Sequence, residues 1–342
     1  SVNDCSVLAP LSNNSELTIM LAATEKAHKN LHKLGFYAQH TVHRLIPSTF
    51  LQRQRISLLR SLKRLSKEDQ QQLLLRANYC NQLEKNVELP EEAISLSNFK
   101  REKSGTYYLD LLSVLRYFPP ELRFAHRFGD VTTVPDAPTL VKSRPITDHN
   151  QNSVLLKLNR VRHYYTVKDP HRYDDKLDLV VWRGSCHQEH RRQFIRDFYD
   201  HPLCNVGDIH KNALGQPWHR QFMSVKEQLK YKFVLSIEGK DVATNLKWIM
   251  ASNSLCFMRQ PRFETWFMEG TLLPNYHYVQ LKDDYSDFEE KITYYRENPA
   301  AAKKIIGNAN RYFAQFMNTD KERLVSLLVM QKYFERTHQL LP

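Results

Sequence analysis

The stretch KYKFVLSIEGKDVATNLKWIMASNSLCFM, residues 230–258, decides the fold. An apolar, β-rich segment (232–239) runs into the turn Glu238-Gly239-Lys240-Asp241, then into a helix over 244–252, then into a second apolar segment, SLCFM (254–258). Strand, turn, helix and strand at this spacing make a βαβ unit, whose two strands must be parallel. Two further segments extend the rhythm. LDLVVWRGS (177–185) precedes a helical stretch carrying Phe194, Ile195 and Phe198, and YHYVQL (276–281) precedes another helix. For the latter, Ser286 and Glu289 are spaced as a capping box, and Asn298-Pro299 opens the next helix. The expected class is α/β with a parallel sheet in the second half.

In an open α/β sheet, ligands sit beyond the carboxyl ends of the strands, where helix starts present unpaired N–H groups. The turn through Gly239, Val242, Ala243, Thr244 and Asn245 is therefore a candidate anion cradle, weighed against an ordinary βα connection. Neither G-x-x-x-x-G-K-[ST] nor G-x-G-x-x-G occurs, and nine glycines leave no Gly-rich phosphate loop. WRGS (182–185) adds a second strand end. Its Arg183 is suited to a bidentate contact with a diphosphate, and Gly184 and Ser185 bring backbone donors close. A surface ion pair is the plainer role for that arginine.

A chain of 342 residues is long enough for two domains, and 42% hydrophobic with 25% charged residues marks a globular protein, not a disordered one. Lys and Arg outnumber Asp and Glu by 49 to 37, so the net charge of +12 favours anionic partners: nucleic acid, acidic headgroups or phosphorylated ligands. The five cysteines are scattered without a C-x-x-C pair and read as free thiols. Cys186, His187 and His190 lack a distant second pair of zinc ligands. LTIMLAA (17–23) and LVSLLVM (324–330) are too short to span a bilayer, and the first has no basic segment before it, so no secretory signal is expected.

Residues 27–67 contain no acidic side chain, while Lys29, Lys33, Arg44, Arg53, Arg55, Arg60, Lys63, Arg64 and Lys67 accumulate there. Ser48 or Thr49 can cap a helix whose Leu58, Leu59, Leu62 and Leu65 recur at helical spacing between basic residues. This basic amphipathic helix either packs on its own domain with a solvated rim or docks on an anionic membrane. Ser66 and Asp69 then start a helix carrying Leu73, Leu74 and Leu75.

The segments KYKFVLSIEG, NLKWIMASNS, ETWFMEG and YHYVQLKDDYSD together resemble the C-terminal signature of glycosyltransferase family 90. That family includes bacterial lipopolysaccharide A proteins, fungal capsule-associated proteins and animal protein O-glucosyltransferases. WRGS (182–185) and GDVTTVPDAPTLVKSRPI (129–146) resemble its other two signatures, in the right order. The resemblance covers residues 125–315 and is nearest to the bacterial members.

The resemblance implies a GT-B arrangement of two Rossmann-like domains facing a cleft. An acceptor-side domain would occupy residues 1–175, with the basic helical region, and a nucleotide-sugar domain residues 176–342, its last helix packing back on the first domain. Similar enzymes invert, need no metal and use UDP-glucose or UDP-xylose with an Asp as base. Matched motif to motif, the base falls on Asp136, the diphosphate arginine on Arg183 and the phosphate-facing helix start on Val242 to Asn245. Animal members carry Arg where this chain has Asn245, so Lys142, Arg144 and Lys240 become further candidates for meeting the diphosphate charge.

Other readings remain open beside these. Asp136 could form an Asx turn, and Asp130, six residues earlier, is the rival base. Glu238 and Asp241 are candidate contacts to sugar or ribose hydroxyls, and Trp266, Tyr276 and Tyr278 either stack on a ligand or belong to the core. No D-x-D occurs, so neither metal nor other cofactor is expected beyond the UDP-sugar co-substrate. The implied partners are a saccharide or lipid-linked acceptor in lipopolysaccharide or other surface-glycan synthesis. A cytoplasmic protein would meet it by peripheral contact with the inner face of a bacterial inner membrane. The alternative from charge alone is a basic nucleic-acid-binding protein without transferase activity.

Overall fold

The computed structural model describes the backbone of residues 13–341 and the side chains of Ala27 and of residues 29–341. The side chains of LTIMLAA, and Cys5, lie outside the described residues. The other four cysteines are free thiols.

Three helices come first: α1 (Asn13–Leu45), α2 (Ser48–Ser61) and α3 (Lys67–Cys80). Ser66 caps α3 as its spacing predicts, accepting from the Asp69 N–H at 3.1 Å. The start of α2 differs from expectation. Pro47 holds the N-cap position and neither Ser48 nor Thr49 makes a capping bond there.

The rest of the first half is β1 (Ile94–Ser95), α4 (Gly105–Leu115), β2 (Arg123–Phe124), β3 (His126–Arg127), β4 (Thr139–Val141), β5 (Ser143–Pro145), β6 (Ser153–Leu155) and α5 (Arg160–His163). Strands β3, β4 and β6 form a small parallel sheet in that order, and β1 pairs antiparallel with β2.

The second half opens with β7 (Leu177–Gly184), α6 (Glu189–Phe198), β8 (Cys204–Asp208), α7 (Val225–Gln228), β9 (Tyr231–Leu235), α8 (Leu246–Met250) and β10 (Leu255–Arg259). It continues through β11 (Phe263–Thr265), β12 (Val279–Leu281), α9 (Phe288–Glu297), α10 (Pro299–Ala314) and α11 (Thr319–Arg336). Its five-stranded sheet has the order β12-β10-β9-β7-β8, all parallel. The chain lays down β7, moves to β8 on one side, and crosses back to β9 on the other. That reversal is a topological switch point between β7 and β9, the place where such sheets open a crevice.

Strand β8 is absent from the sequence reading because CNVGD at the sheet edge offers a single Val to a periodicity argument. The predicted capping box of α9 is also corrected: Asp287 stands at the N-cap, accepting from the Lys282 N–H and pairing with Lys291. Pro299 opens α10 as expected.

One core lies between the second sheet and α6 and α9, built on Trp182, Phe194, Phe233, Phe257 and Phe288. The other runs unbroken from the first half into the opposite face of the second sheet, joining Leu111, Leu140 and Val154 to Val181, Val234 and Cys256. Helix α11 packs against α3, α2 and α4. An antiparallel ribbon of β5 with β11 crosses between the halves. Within the shared core, the Glu322 carboxylate accepts from Arg76 at 2.5 Å, Lys157 at 2.7 Å and the Trp266 indole N–H at 2.7 Å. Trp266 is thereby a core residue and not a ligand platform, and Tyr278 is likewise buried; Tyr276 is exposed.

Breaking a buried ionic cluster by removing one member leaves charge uncompensated and costs about 3–5 kcal/mol. Glu322→Ala should therefore unfold several degrees or more below the parent in a thermal melt followed by circular dichroism. An unchanged melting temperature would show that α11 is held by its apolar face alone.

Candidate active site

The crevice between β7 and β9 is built by one arginine. Arg191 of α6 donates from Nε to the Glu238 carbonyl at 2.8 Å, from Nη2 to the Ile237 carbonyl at 2.7 Å and from Nη1 to the Ser185 carbonyl at 3.0 Å. It thus ties together the two strand ends that the sequence singled out, while its guanidinium lies over the Trp182 ring. The close fit explains Gly184: a Cβ there would come within 2.4 Å of Trp182. Asn245 fastens the far end of the turn, donating from Nδ2 to the Leu235 carbonyl at 2.8 Å and accepting from Ser236 Oγ at 3.2 Å.

These contacts leave the turn electrically one-sided. Among the described residues, none of the backbone N–H groups of residues 239–245 meets a protein acceptor. Beside them a small cavity is lined by Ser236, Glu238, Val242, Ala243, Met258 and Arg259. Arg259 at the end of β10 went unnoticed in the sequence, although a charge ending an apolar strand beside the crevice was the available signal. Its Nη1 donates to the Asp283 carbonyl at 3.3 Å, while Nη2 is buried with no hydrogen-bond partner among the described residues. A buried guanidinium edge without an acceptor beside free amides is suited to an anion.

The other predicted contacts divide. Arg183 sits at the end of β7, but its guanidinium donates to the carbonyls of Gln221, Trp182 and Asn205 and to Asn205 Oδ1, leaving no bidentate edge free. Burial lowers its pKa to about 10, so it stays charged at neutral pH. Arg144 is corrected outright. It is fully buried, with Nε on Glu264 at 2.7 Å and its other nitrogens on the carbonyls of Ser153 and Tyr79, and it holds the β5–β11 ribbon. Glu238 lines the cavity and accepts from the backbone N–H groups of Arg262 and Phe263, with burial raising its pKa.

The two candidate bases lie at opposite ends of the first sheet. Asp130 follows the carboxyl end of β3, and the next residue, Val131, donates its N–H to Ser143 beyond the end of β4. Asp136 precedes the start of β4, where its carbonyl accepts from Asn152 just before β6. Only Asp130 is joined to the crevice. The buried ammonium of Lys142 sits 2.7 Å from Asp130 and 2.7 Å from Asp241 of the donor-side turn. Burial alone would raise the Asp130 pKa, but the hydrogen bond and charge of Lys142, with Arg162 and Lys240, bring it below the ordinary value. Lys142 is consequently committed to carboxylates and not available to a diphosphate. No cluster of three metal-ligating side chains occurs among the described residues.

A doubly wound sheet with open amides at its switch point, beside an ionised carboxylate, is suited to an anionic ligand. Comparison with known proteins gives the class its name. The sequence profile of Glycosyl transferase family 90 matches residues 156–338. The chain is 49% identical over 310 residues to O-glucosyltransferase LpsA of Dichelobacter nodosus, covering 91% of this chain and 98% of that protein. It is 26% identical over 168 residues to Protein O-glucosyltransferase 3 of Homo sapiens, 47% of this chain and 33% of that one. O-glucosyltransferase rumi of Drosophila pseudoobscura pseudoobscura is 28% identical over 155 residues, 42% of this chain and 37% of that one. The chain belongs to glycosyltransferase family 90, as its signatures suggested, and is a glycosyltransferase. The reading as a nucleic-acid-binding protein without transferase activity is set aside on that ground.

Replacing Lys142 by Met removes the cation that pairs with both Asp130 and Asp241. The Asp130 pKa should then rise, because burial remains while the hydrogen bond and nearest charge are lost and only Arg162 and Lys240 still lower it. A carboxyl-detected NMR titration of Lys142→Met reads this directly. An Asp130 pKa unchanged from the parent would show that Lys142 does not control it.

Proposed function

We propose that the enzyme transfers glucose, or the related xylose, from a UDP-sugar to a hydroxyl of a saccharide acceptor, inverting the anomeric centre and using no metal ion. The acceptor fits lipopolysaccharide or other surface-glycan synthesis, in keeping with the LpsA relative. The observation that carries this reading is the pairing of free amides 239–245 and Arg259 with the Asp130 carboxylate through Lys142. The two α/β halves are read as a GT-B pair, with the donor on the second and the acceptor held against the first.

In this mechanism Asp130 replaces Asp136 as the base, because its carboxylate faces the crevice. An alcohol is too weak an acid to ionise unaided at neutral pH, so Asp130 takes its proton as the oxygen attacks the anomeric carbon. The bond from that carbon to the diphosphate oxygen breaks on the opposite face, and UDP departs with the electron pair. Negative charge grows on the diphosphate, where the amides of 239–245 and the Nη2 edge of Arg259 strengthen their hold in the transition state. Arg183 adds long-range positive charge while holding its strand end in place. Arg259 thus serves where animal members carry Arg in place of Asn245.

Release of UDP from a panel of UDP-sugars, with and without saccharide acceptors, tests the reaction. Asp130→Asn should lower turnover by about 10²-fold to 10⁴-fold with UDP affinity nearly intact, while Asp136→Asn stays near the parent. The reverse pattern would return the base to Asp136. Since protonation disables the base and the Asp130 pKa is lowered, kcat/KM should hold down to below the usual carboxylate range before falling. Arg259→Ala should weaken UDP binding about tenfold to a hundredfold in titration calorimetry, the loss of one charge-assisted contact. Chelation with EDTA should leave turnover unchanged; loss restored by magnesium or manganese would overturn the metal-free mechanism.

A further inference from the structure

For the basic amphipathic helix α2 the sequence left open packing on its own domain or docking on a membrane, and its leucine stripe is turned inward. Leu58, Leu59, Leu62 and Leu65 pack against the core, while Arg60, Lys63 and Arg64 between them are exposed. The uncovered apolar face belongs to α1. Leu31, Leu34, Ala38, Val42 and Leu45 recur at steps of three and four residues and so form one stripe along the helix. Leu45 is 79% exposed, Leu31 and Leu34 65%, and Val42 63%, with Phe50 of α2 continuing the line at 57%. The other side of α1 is turned inward. Phe36 and His40 are buried, and His40 lies 2.9 Å from Arg160 of α5, which also holds Asp110 of α4 at 2.7 Å. Helix α1 is therefore fastened by its inner side and presents aliphatic side chains outward.

The charge around the stripe selects its occupant. Lys33, Arg44 and Arg53 are exposed, and no acidic residue occurs from 27 to 67. A second copy of the chain meeting this face about a two-fold axis would set these cations against their own kind. An apolar stripe bordered by cations, with no carboxylate, instead matches the boundary between acyl chains and acidic headgroups. We propose that α1 lies in the interface of an anionic lipid bilayer, inserting Leu31, Leu34, Val42, Leu45 and Phe50.

This places the bilayer one short helix from the cleft, since α5 turns Arg160 toward α1 while Arg162 adds its charge to Asp130. Docking itself does not depend on the proposed reaction; only its use, presenting a lipid-linked acceptor to Asp130, rests on that reading. The test is co-sedimentation of the full chain with vesicles of phosphatidylcholine alone or mixed with phosphatidylglycerol. The parent should bind the mixed vesicles and not the neutral ones. The doubly substituted Leu34→Asp, Leu45→Asp chain should bind them at least about tenfold more weakly, and Lys33→Glu with Arg44→Glu should do the same, both with unchanged melting temperature and unchanged UDP release in solution. No binding by the parent overturns the proposal, as does equal binding by the Asp variants. A parent that is dimeric by analytical ultracentrifugation, and monomeric once Leu34 and Leu45 are replaced, would make the stripe a self-association surface instead.

Discussion

The ammonium of Lys142, almost wholly withdrawn from water between Asp130 and Asp241, is the contact on which the geometry of the cleft depends. Burying a lone ammonium costs several kcal/mol, and only nearby carboxylates offset it. Here one carboxylate comes from the loop after β3 and the other from the turn after β9, so a single cation draws a loop of each sheet to the same point. The separation of the two halves across the crevice is thereby fixed by electrostatics as well as by the core they share. The same contact keeps Asp130 ionised, joining a structural requirement to a chemical one.

Around the switch point, backbone carbonyls and backbone N–H groups are treated differently. Arg191 answers the carbonyls of Ser185, Ile237 and Glu238, Arg183 those of Trp182, Asn205 and Gln221, and Asn245 that of Leu235. The amides of 239–245 receive no such partner among the described residues. Satisfying acceptors while leaving donors open makes the crevice electropositive without a Gly-rich loop, which a chain with nine glycines could scarcely supply. Arg183, which the motif reading assigns to the diphosphate, is in this way spent on backbone carbonyls beside the crevice.

Much of the second half was legible in the chain. Apolar runs of strand length alternating with helical periodicity define parallel βαβ units, and local chemistry places starts such as Ser66 and Pro299. Where the physics is not local, sequence reasoning lost its hold. CNVGD becomes a strand because β7 offers it an edge, not because of its own pattern. Arg144 looks like a free cation until Glu264, 120 positions away, takes its Nε. The leucines of α2 and α1 have similar periodicity, and only packing shows that the former are consumed by the core and the latter left uncovered.

By itself, the sequence determined the α/β class, the two strand ends that border the crevice, the family and the short segment holding both candidate carboxylates. Those properties rest on period, turn chemistry and signature, all carried within a few dozen residues. Which of Asp130 and Asp136 lies at the crevice was decided only by the tertiary structure, because residues 128–138 return the chain from the carboxyl end of β3 to the amino end of β4. In a parallel sheet those ends face opposite ways, so the direction of the strands, and not the residue type, decides which carboxylate reaches the crevice.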